Sequence, residues 1–410
     1  MTKIAPFRGL RPRNDLVDKI IAPPYDVINS DEARDLAEGN EHSFLHVSKP
    51  EIDLDAGVDS YGSSVYAKGK ESLDQFVEQG FFSRDEKPCF YINRLTVNGQ
   101  SQTGIYAGSS IEEYETELIK KHELTRAAKE KDRTTHTKIL DAQTGPVFLA
   151  YHQKDEIDSI VNKVLETEPT YDVTTYDGVR NELWVVEETD ALVKAFEAVP
   201  CTYIADGHHR AASYSKIGAS KRDADSNTAG TEEYNSFLSV IFPGNQLNIL
   251  AYNRFVKDLN GMSIDEFIAI AGETFDIQEG GDPVPEKKHQ FRMYLDGKWW
   301  SLTPKSGTFD ENDPVKSLDV SVLQENLLAP VLGIEDPRRD NRIDFIGGIR
   351  GTEELEKRVG EIEGSAIAFS LYPVSIEDLF AIADAGEIMP PKSTWFEPKL
   401  KDGFVLKLMD

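Results

Sequence analysis

The chain has 410 residues, 39% hydrophobic and 29% charged, enough apolar material for two or three buried cores. Its formal net charge of −27 opposes a nucleic-acid backbone, although a local basic pocket can still hold a small anion. No stretch approaches the roughly 18 consecutive apolar residues of a membrane span, and MTKIAPFRGLRP lacks the apolar core of a signal segment.

In chain order, Pro23 and Pro24 force an extended path through IIAPPYDVI. Asn29, with Glu32 three residues on, predicts a capped helix start, and residues 62–80 read as a helix with apolar Val65, Leu73 and Phe76. CFYINRLTV and QTGIYAGSSI read as strands joined at Asn98-Gly99, a strong hairpin signal. Residues 111–141 are highly charged and mostly helical in composition, then QTGPVF turns the chain. Next come a helix in HQKDEIDSIVNKVLE, a strand in NELWVVEE, a helix in DALVKAFEAV and a strand in CTYIA.

Beyond residue 210 a helix is expected, then a mobile polar loop in KRDADSNTAGTEEYNS and strands in SFLSVIF and LNILAYNRFV. Ser263 with Glu266 forms a capping box, and Asp296-Gly297 turns a hairpin in KHQFRMYLDGKWWSLTP. Asp319 is placed to cap a helix that Pro330 ends. Ser375 and Asp378 open a late helix that Gly386 closes, and FVLKLMD ends the chain as a short strand. Hairpins mixed with alternating elements predict an α+β (mixed α/β) fold. Three approximate, intertwined regions are expected: 1–150, 151–260 and 261–410.

Cys89 and Cys201 lie in apolar strand-like runs without metal or disulfide spacing. They read as buried thiols in a reducing, cytoplasmic setting.

The strongest chemical signal is ADGHHR at 205–210. A β-rich run enters Asp206-Gly207 and a helix-favouring run leaves it. Gly207 permits a tight turn and lets a ligand approach the backbone. The first amides of the new helix have no intrahelical acceptors and carry the positive dipole end, which suits phosphate. His208, His209 and Arg210 add donors, and Arg can grip two phosphate oxygens at once. Asp206 can cap the helix, orient a histidine or help hold a metal ion. Adjacent histidines do not face the same way on a helix, so zinc is disfavoured. The plainer reading is an N-cap followed by surface histidines.

A second cluster is His122, Glu123, Asp132 and Arg133. If 111–141 is one helix, positions 122, 126, 129 and 133 share a face. Glu123 or Asp132 then suits a general base or a magnesium ligand, and Lys129 and Arg133 suit phosphate. A solvated helix with internal salt bridges is the alternative. At 386–393 a P-loop is nearly spelled, but Pro391 stands where the second glycine belongs and donates no amide, so a P-loop ATPase is rejected. Lys392, Ser393 and Thr394 remain candidates for an anion pocket. Tyr25 and Asp26, on the rigid Pro-Pro loop, are candidate substrate contacts. His42, His46, His136, His152 and His289 show no ligand spacing. Gly347-Gly348 with Gly351 makes a poor dinucleotide fingerprint, and no nucleophile elbow occurs.

The chain resembles the domain of unknown function 1015 family along nearly its full length. The resemblance rests on APPYDVI (22–28), HELT with KEKDR (122–133), TGPVF (144–148), ADGHHR (205–210), LDVSVLQENLLAPVLGI (318–334) and MPPKSTWFEPKLKDG (389–403). The DGHHR turn, with its flanking strand and helix, also resembles the phosphate-binding signature of the ParB/sulfiredoxin superfamily. That superfamily includes nucleotide-binding DNA segregation proteins, an ATP-using sulfinic acid reductase and kinases of free serine.

The expected function is therefore phosphoryl transfer from ATP or ADP, with magnesium, to a small hydroxyl compound, free serine favoured. Asp206, His208, His209, Glu123 and Asp132 are the catalytic candidates. Gly207, His208, His209, Arg210, Arg133, Lys392, Ser393 and Thr394 are the phosphate and nucleotide contacts, and Tyr25, Asp26 and His122 the substrate contacts. Hydrolysis of a phospho-metabolite and a non-catalytic nucleotide-binding regulator are the alternatives. A DNA-binding role is disfavoured by charge and by the lack of a basic recognition helix.

Overall fold

The computed structural model describes residues 1–55, 57–225 and 232–409. The chain divides into two compact units, one of residues 1–247 and 398–410, the other of residues 248–397. The fold is mixed α/β.

The first unit is built on a nine-stranded sheet. Its strands are β1 (Ile4–Ala5), β2 (Phe90–Val97), β3 (Gln100–Ser110), β4 (Ile119–Lys120), β5 (Val147–Tyr151), β6 (Tyr171–Thr174), β7 (Arg180–Val186), β8 (Thr202–Asp206) and β9 (Ser236–Pro243). The spatial order is β4-β8-β5-β9-β3-β2-β7-β6, and β1 pairs with β3. β2 and β3 form the hairpin expected at Asn98-Gly99, where both residues take the positive φ that a two-residue turn demands (51° and 76°). β9 runs parallel to β5 and antiparallel to β3. A boundary between residues 150 and 151 would cut this sheet, so the region 1–150 is not a separate body.

Three helices matter for the site: α1 (Ser63–Glu78), α2 (Ala127–Leu140) and α3 (His208–Ala224). α3 buries Ala211 and Tyr214 in a core shared with Val147, Leu149, Ile204, Phe237 and Ile241 of the sheet. α2 lies beside α3, and Ser213 Oγ donates to the Glu130 carbonyl at 3.1 Å. A second core joins α1 through Leu73 and Phe76 to Leu10, Phe44, Leu140 and Leu406. A four-stranded sheet runs through that core, and its strand Leu406–Leu408 comes from the chain's last residues.

The helix expected across 111–141 is broken. A short helix (Ile111–Glu115) is followed by β4, and α2 begins only at Ala127. β4 is drawn out of helix by pairing in parallel with Thr202 and Tyr203 of β8. His122 and Glu123 therefore do not share a helix face with 126, 129 and 133. Of the expected polar loop at 221–236, residues 226–231 lie outside the described residues, and α3 continues through 221–224.

The second unit holds a six-stranded antiparallel sheet in the order Phe275–Glu279, Lys298–Pro304, Phe291–Leu295, Ile367–Ser370, Tyr252–Val256, Ile343–Gly347. The helix Glu353–Gly360 packs on it through Leu355, which is buried with Phe255, Ile346 and Ala368. The expected capping box forms at Ser263–Glu266, and the helix expected to open at Ser375 and Asp378 does so with a capping box as well. LNILAYNRFV is two strands in two sheets rather than one. Asp319 is not the cap: it is the first residue of its helix, and its carboxylate accepts the His289 amide at 2.9 Å.

Candidate functional site

β8 delivers the chain to Asp206, and α3 departs at His208. Gly207 makes the turn with φ 94°, which a side chain would strain. Asp206 Oδ1 accepts the Gly207 amide at 2.7 Å, and Lys399 Nζ donates to Asp206 Oδ2 at 3.0 Å. Burial alone would raise the pKa of this carboxyl, but Lys399 and Arg210 outweigh burial and hold it well below the usual carboxylate range. Asp206 is thus permanently ionised and suits a fixed charge better than a general base.

Arg210 is buried and folds back over the turn. A Cβ on Gly207 would sit 3.1 Å from its Nε and 3.2 Å from its Cζ. Its NH1 donates to the Pro146 carbonyl. Its NH2 stands 3.8 Å from a carboxylate oxygen of both Asp26 and Asp206. Those separations give charge attraction without a hydrogen bond, and Arg210 Nε is buried with no partner. Burial would lower the pKa of the guanidinium, but Asp26 and Asp206 more than restore it.

The two motif histidines have different surroundings. His208 is buried and meets His122 edge-on, with centroids 4.5 Å apart. His208 Nδ1 is 4.0 Å from Glu123 Oε2. Burial lowers both pKa values, His122 to about 4 and His208 well below its ordinary value, so both rings are neutral at pH 7. His122 Nδ1 and His208 Nε2 are buried without partners. His209 is half-buried, and its Nε2 accepts the Arg126 amide at 2.9 Å. That bond places the proton of the neutral ring on Nδ1, and burial lowers this pKa as well.

The APPYDV loop closes the same region. Arg133 lies over the Tyr25 ring at 3.8 Å from its centroid. The Tyr25 amide donates to Asp402 Oδ2 at 3.3 Å, and Ala22 exchanges backbone hydrogen bonds with Asp402. Burial pushes the Asp402 carboxyl up to about 7, with Arg210 opposing and Asp26 reinforcing the shift. Tyr25, Arg133, Thr144, Gly145, Arg210, Tyr214 and Asp402 are among the residues lining a cavity of about 10 Å³, enough for one water. A Cβ on Gly145 would meet Asp402 Oδ1 at 2.9 Å, so a side chain there would press on that carboxylate.

The structure therefore brings together Tyr25, Asp26, His122, Glu123, Arg133 and Gly207 to Arg210. Asp132 is buried on α2, bonded to Tyr66 Oη at 2.8 Å and to Arg133. Those bonds hold Arg133 in place and take up the carboxylate, so Asp132 acts as an anchor. Lys392, Ser393 and Thr394 lie in the second unit. There Lys392 Nζ donates to Tyr252 Oη at 3.2 Å, and Ser393 Oγ to the Pro390 carbonyl at 2.7 Å. Lys399 and Asp402 were not singled out in the sequence, although both lie in the conspicuous MPPKSTWFEPKLKDG segment. Nothing local separates them from the neighbouring lysines. Among the described residues, no group of three or more His, Cys, Asp or Glu side chains is placed to hold a metal ion, and no helix is long and apolar enough to cross a membrane.

Residues 4–321 match the family described as Protein of unknown function (DUF1015). The chain belongs to that family. No curated protein matches it. Among solved structures, a free serine kinase variant in complex with ADP is 16% identical, with TM-score 0.35, covering 72% of this chain and 87% of that one. A conserved hypothetical protein from Pyrococcus furiosus is 15% identical, with TM-score 0.35, covering 73% and 93%. SbnI with a C-terminal truncation, from Staphylococcus aureus, is 10% identical, with TM-score 0.38, covering 72% and 85%.

Proposed function

We propose that this family member binds a nucleotide by its phosphates at the amino end of α3 and transfers a phosphoryl group to a small hydroxyl compound. One observation carries the reading. Arg210 is buried across the Gly207 turn, its Nε lacks a partner, and its NH2 faces two carboxylates beyond hydrogen-bond reach. A guanidinium desolvated beside the amino end of a helix gains most from an oxyanion that takes both sets of donors. Free serine is the favoured acceptor, because the superfamily whose signature DGHHR resembles includes kinases of free serine.

Glu123 is the best candidate base. Its side chain is 43% exposed, and His208 stands 4.0 Å away, so an acceptor hydroxyl can reach the carboxylate from solvent. His209, with its proton on Nδ1, offers a neutral donor to phosphate. Magnesium fits as an ion carried by the polyphosphate and met by one carboxylate, Asp26 being better placed than the doubly bonded Asp206. Bound there, it would neutralise phosphate charge.

The test incubates the full-length protein with ATP or ADP, magnesium and a panel of small hydroxyl compounds, and looks for phosphorylated product by mass. Product with serine supports the reading. Phosphate release without acceptor replaces it by hydrolysis, and a thermal shift without product replaces it by a regulator.

A further inference from the structure

The segment Pro398–Asp410 returns to the first unit directly after the second unit ends at Glu397. Its second residue places an ammonium 3.0 Å from Asp206, and Asp206 in turn holds the Gly207 amide. The side chain of Lys399 is 15% exposed, so it is largely but not wholly desolvated. We propose that Lys399 is a phosphate-binding residue of this site, parked on Asp206 until a polyphosphate replaces that carboxylate as its partner.

Four arguments support it, resting on the nucleotide reading above. The ammonium and the Gly207 amide share the Asp206 carboxylate, one on each oxygen. A lysine ammonium is a compact charge on a flexible stem, able to change partner where a guanidinium fork is held rigidly. The ligand would also bring more charge than Asp206 offers: a terminal phosphate carries about two negative charges against one. Lys399 and Arg210 flank Asp206 from two chain segments, so a phosphate displacing the lysine from Asp206 would be met from both sides.

The experiment is calorimetric titration of the full-length protein with ATP, ADP, AMP, adenosine and inorganic pyrophosphate, with EDTA present so that no metal contributes. Wild type, Lys399→Met, Lys399→Arg and Asp206→Asn are compared, each checked for folding by thermal melt. Lys399→Met should weaken ATP, ADP and pyrophosphate by about tenfold or more and leave adenosine unchanged. Lys399→Arg should recover most of the loss, and Asp206→Asn, which removes the carboxylate charge 3.0 Å from the lysine, should bind pyrophosphate at least as tightly as wild type. Three results would overturn the inference: unchanged pyrophosphate binding in Lys399→Met, equal losses for adenosine and ATP, or the same loss in Asp206→Asn as in Lys399→Met. If wild type binds pyrophosphate but no nucleotide, the function proposed above fails, and the pyrophosphate series still decides the role of Lys399. If it binds neither, both fail.

Discussion

Each unit buries an arginine against a sheet, and the two are held in opposite ways. Arg254 in the second unit has no carboxylate within ion-pair distance among the described residues. Its NH1 donates to the Tyr252 and Lys392 carbonyls at 2.6 and 3.1 Å, its NH2 to the Pro391 carbonyl at 3.4 Å, and its guanidinium lies 4.8 Å from the Phe345 ring centroid. Burial lowers its pKa to about 9, with Tyr252 opposing. Arg210 has one carbonyl, an unpartnered Nε and two carboxylates just out of reach. A guanidinium saturated by carbonyls pins a loop. One whose charge is compensated but whose hydrogen bonds are incomplete is arranged for an incoming anion. The pinned loop carries Pro391 and Lys392, whose carbonyls are satisfied by Arg254.

Replacing each arginine separates the two roles. Arg210→Met should give the largest effect, at least about 100-fold weaker nucleotide or pyrophosphate binding by calorimetry, because charge-assisted hydrogen bonds are lost with it. Ligand binding unchanged in that variant would remove the distinction between the arginines. Arg254→Met should leave binding intact and destabilise the second unit by about 2–3 kcal/mol, since buried carbonyls lose their donors. Scanning calorimetry would read this as a lower transition temperature, and a loss of ligand binding instead would contradict the assignment.

A smaller effect is expected from Gly207→Ala. The positive φ costs roughly 1–2 kcal/mol, and the new methyl presses on Arg210 at 3.1 Å from Nε. Affinity should fall about tenfold while the fold persists, measured by titration and melting together.

The smallest effect is a pH dependence. Asp402 titrates near 7 in the folded protein because it is buried, with Arg210, Asp26, Arg133 and the Tyr25 amide facing it. An unfolded aspartate titrates near 4. Between those values the native state keeps a proton that the unfolded state has lost, so this group makes stability fall as pH rises from about 4 to about 7. Asp402→Asn should flatten that slope in chemical denaturation, matching wild type near pH 4 and exceeding it at pH 8. A slope unaltered by the substitution would count against a buried, protonated Asp402.

Much of the site was readable because its signals are local. Asp206-Gly207 needs only a strand before it and a helix after it, and Asn98-Gly99 and the two capping boxes need only their own few residues. The break at 116–126 was not readable, since β4 leaves helix for a partner strand more than 80 residues away. Lys399 and Asp402 were hidden for the same reason: their partners Asp206 and Tyr25 lie 193 and 377 positions away. The roles expected for Lys392 to Thr394 rested on a near-miss to a phosphate loop, whereas the local backbone conformation, with Lys392 at φ 58°, follows from loop carbonyls gathering on Arg254.

The late return of residues 398–410 bears on biosynthesis. A nascent chain halted between residues 210 and 399 has made the whole ADGHHR turn, yet Asp206 lacks its ammonium and the APPYDV loop lacks the backbone that holds it. Truncation ahead of residue 402 therefore leaves the site incomplete, however much of the rest has folded.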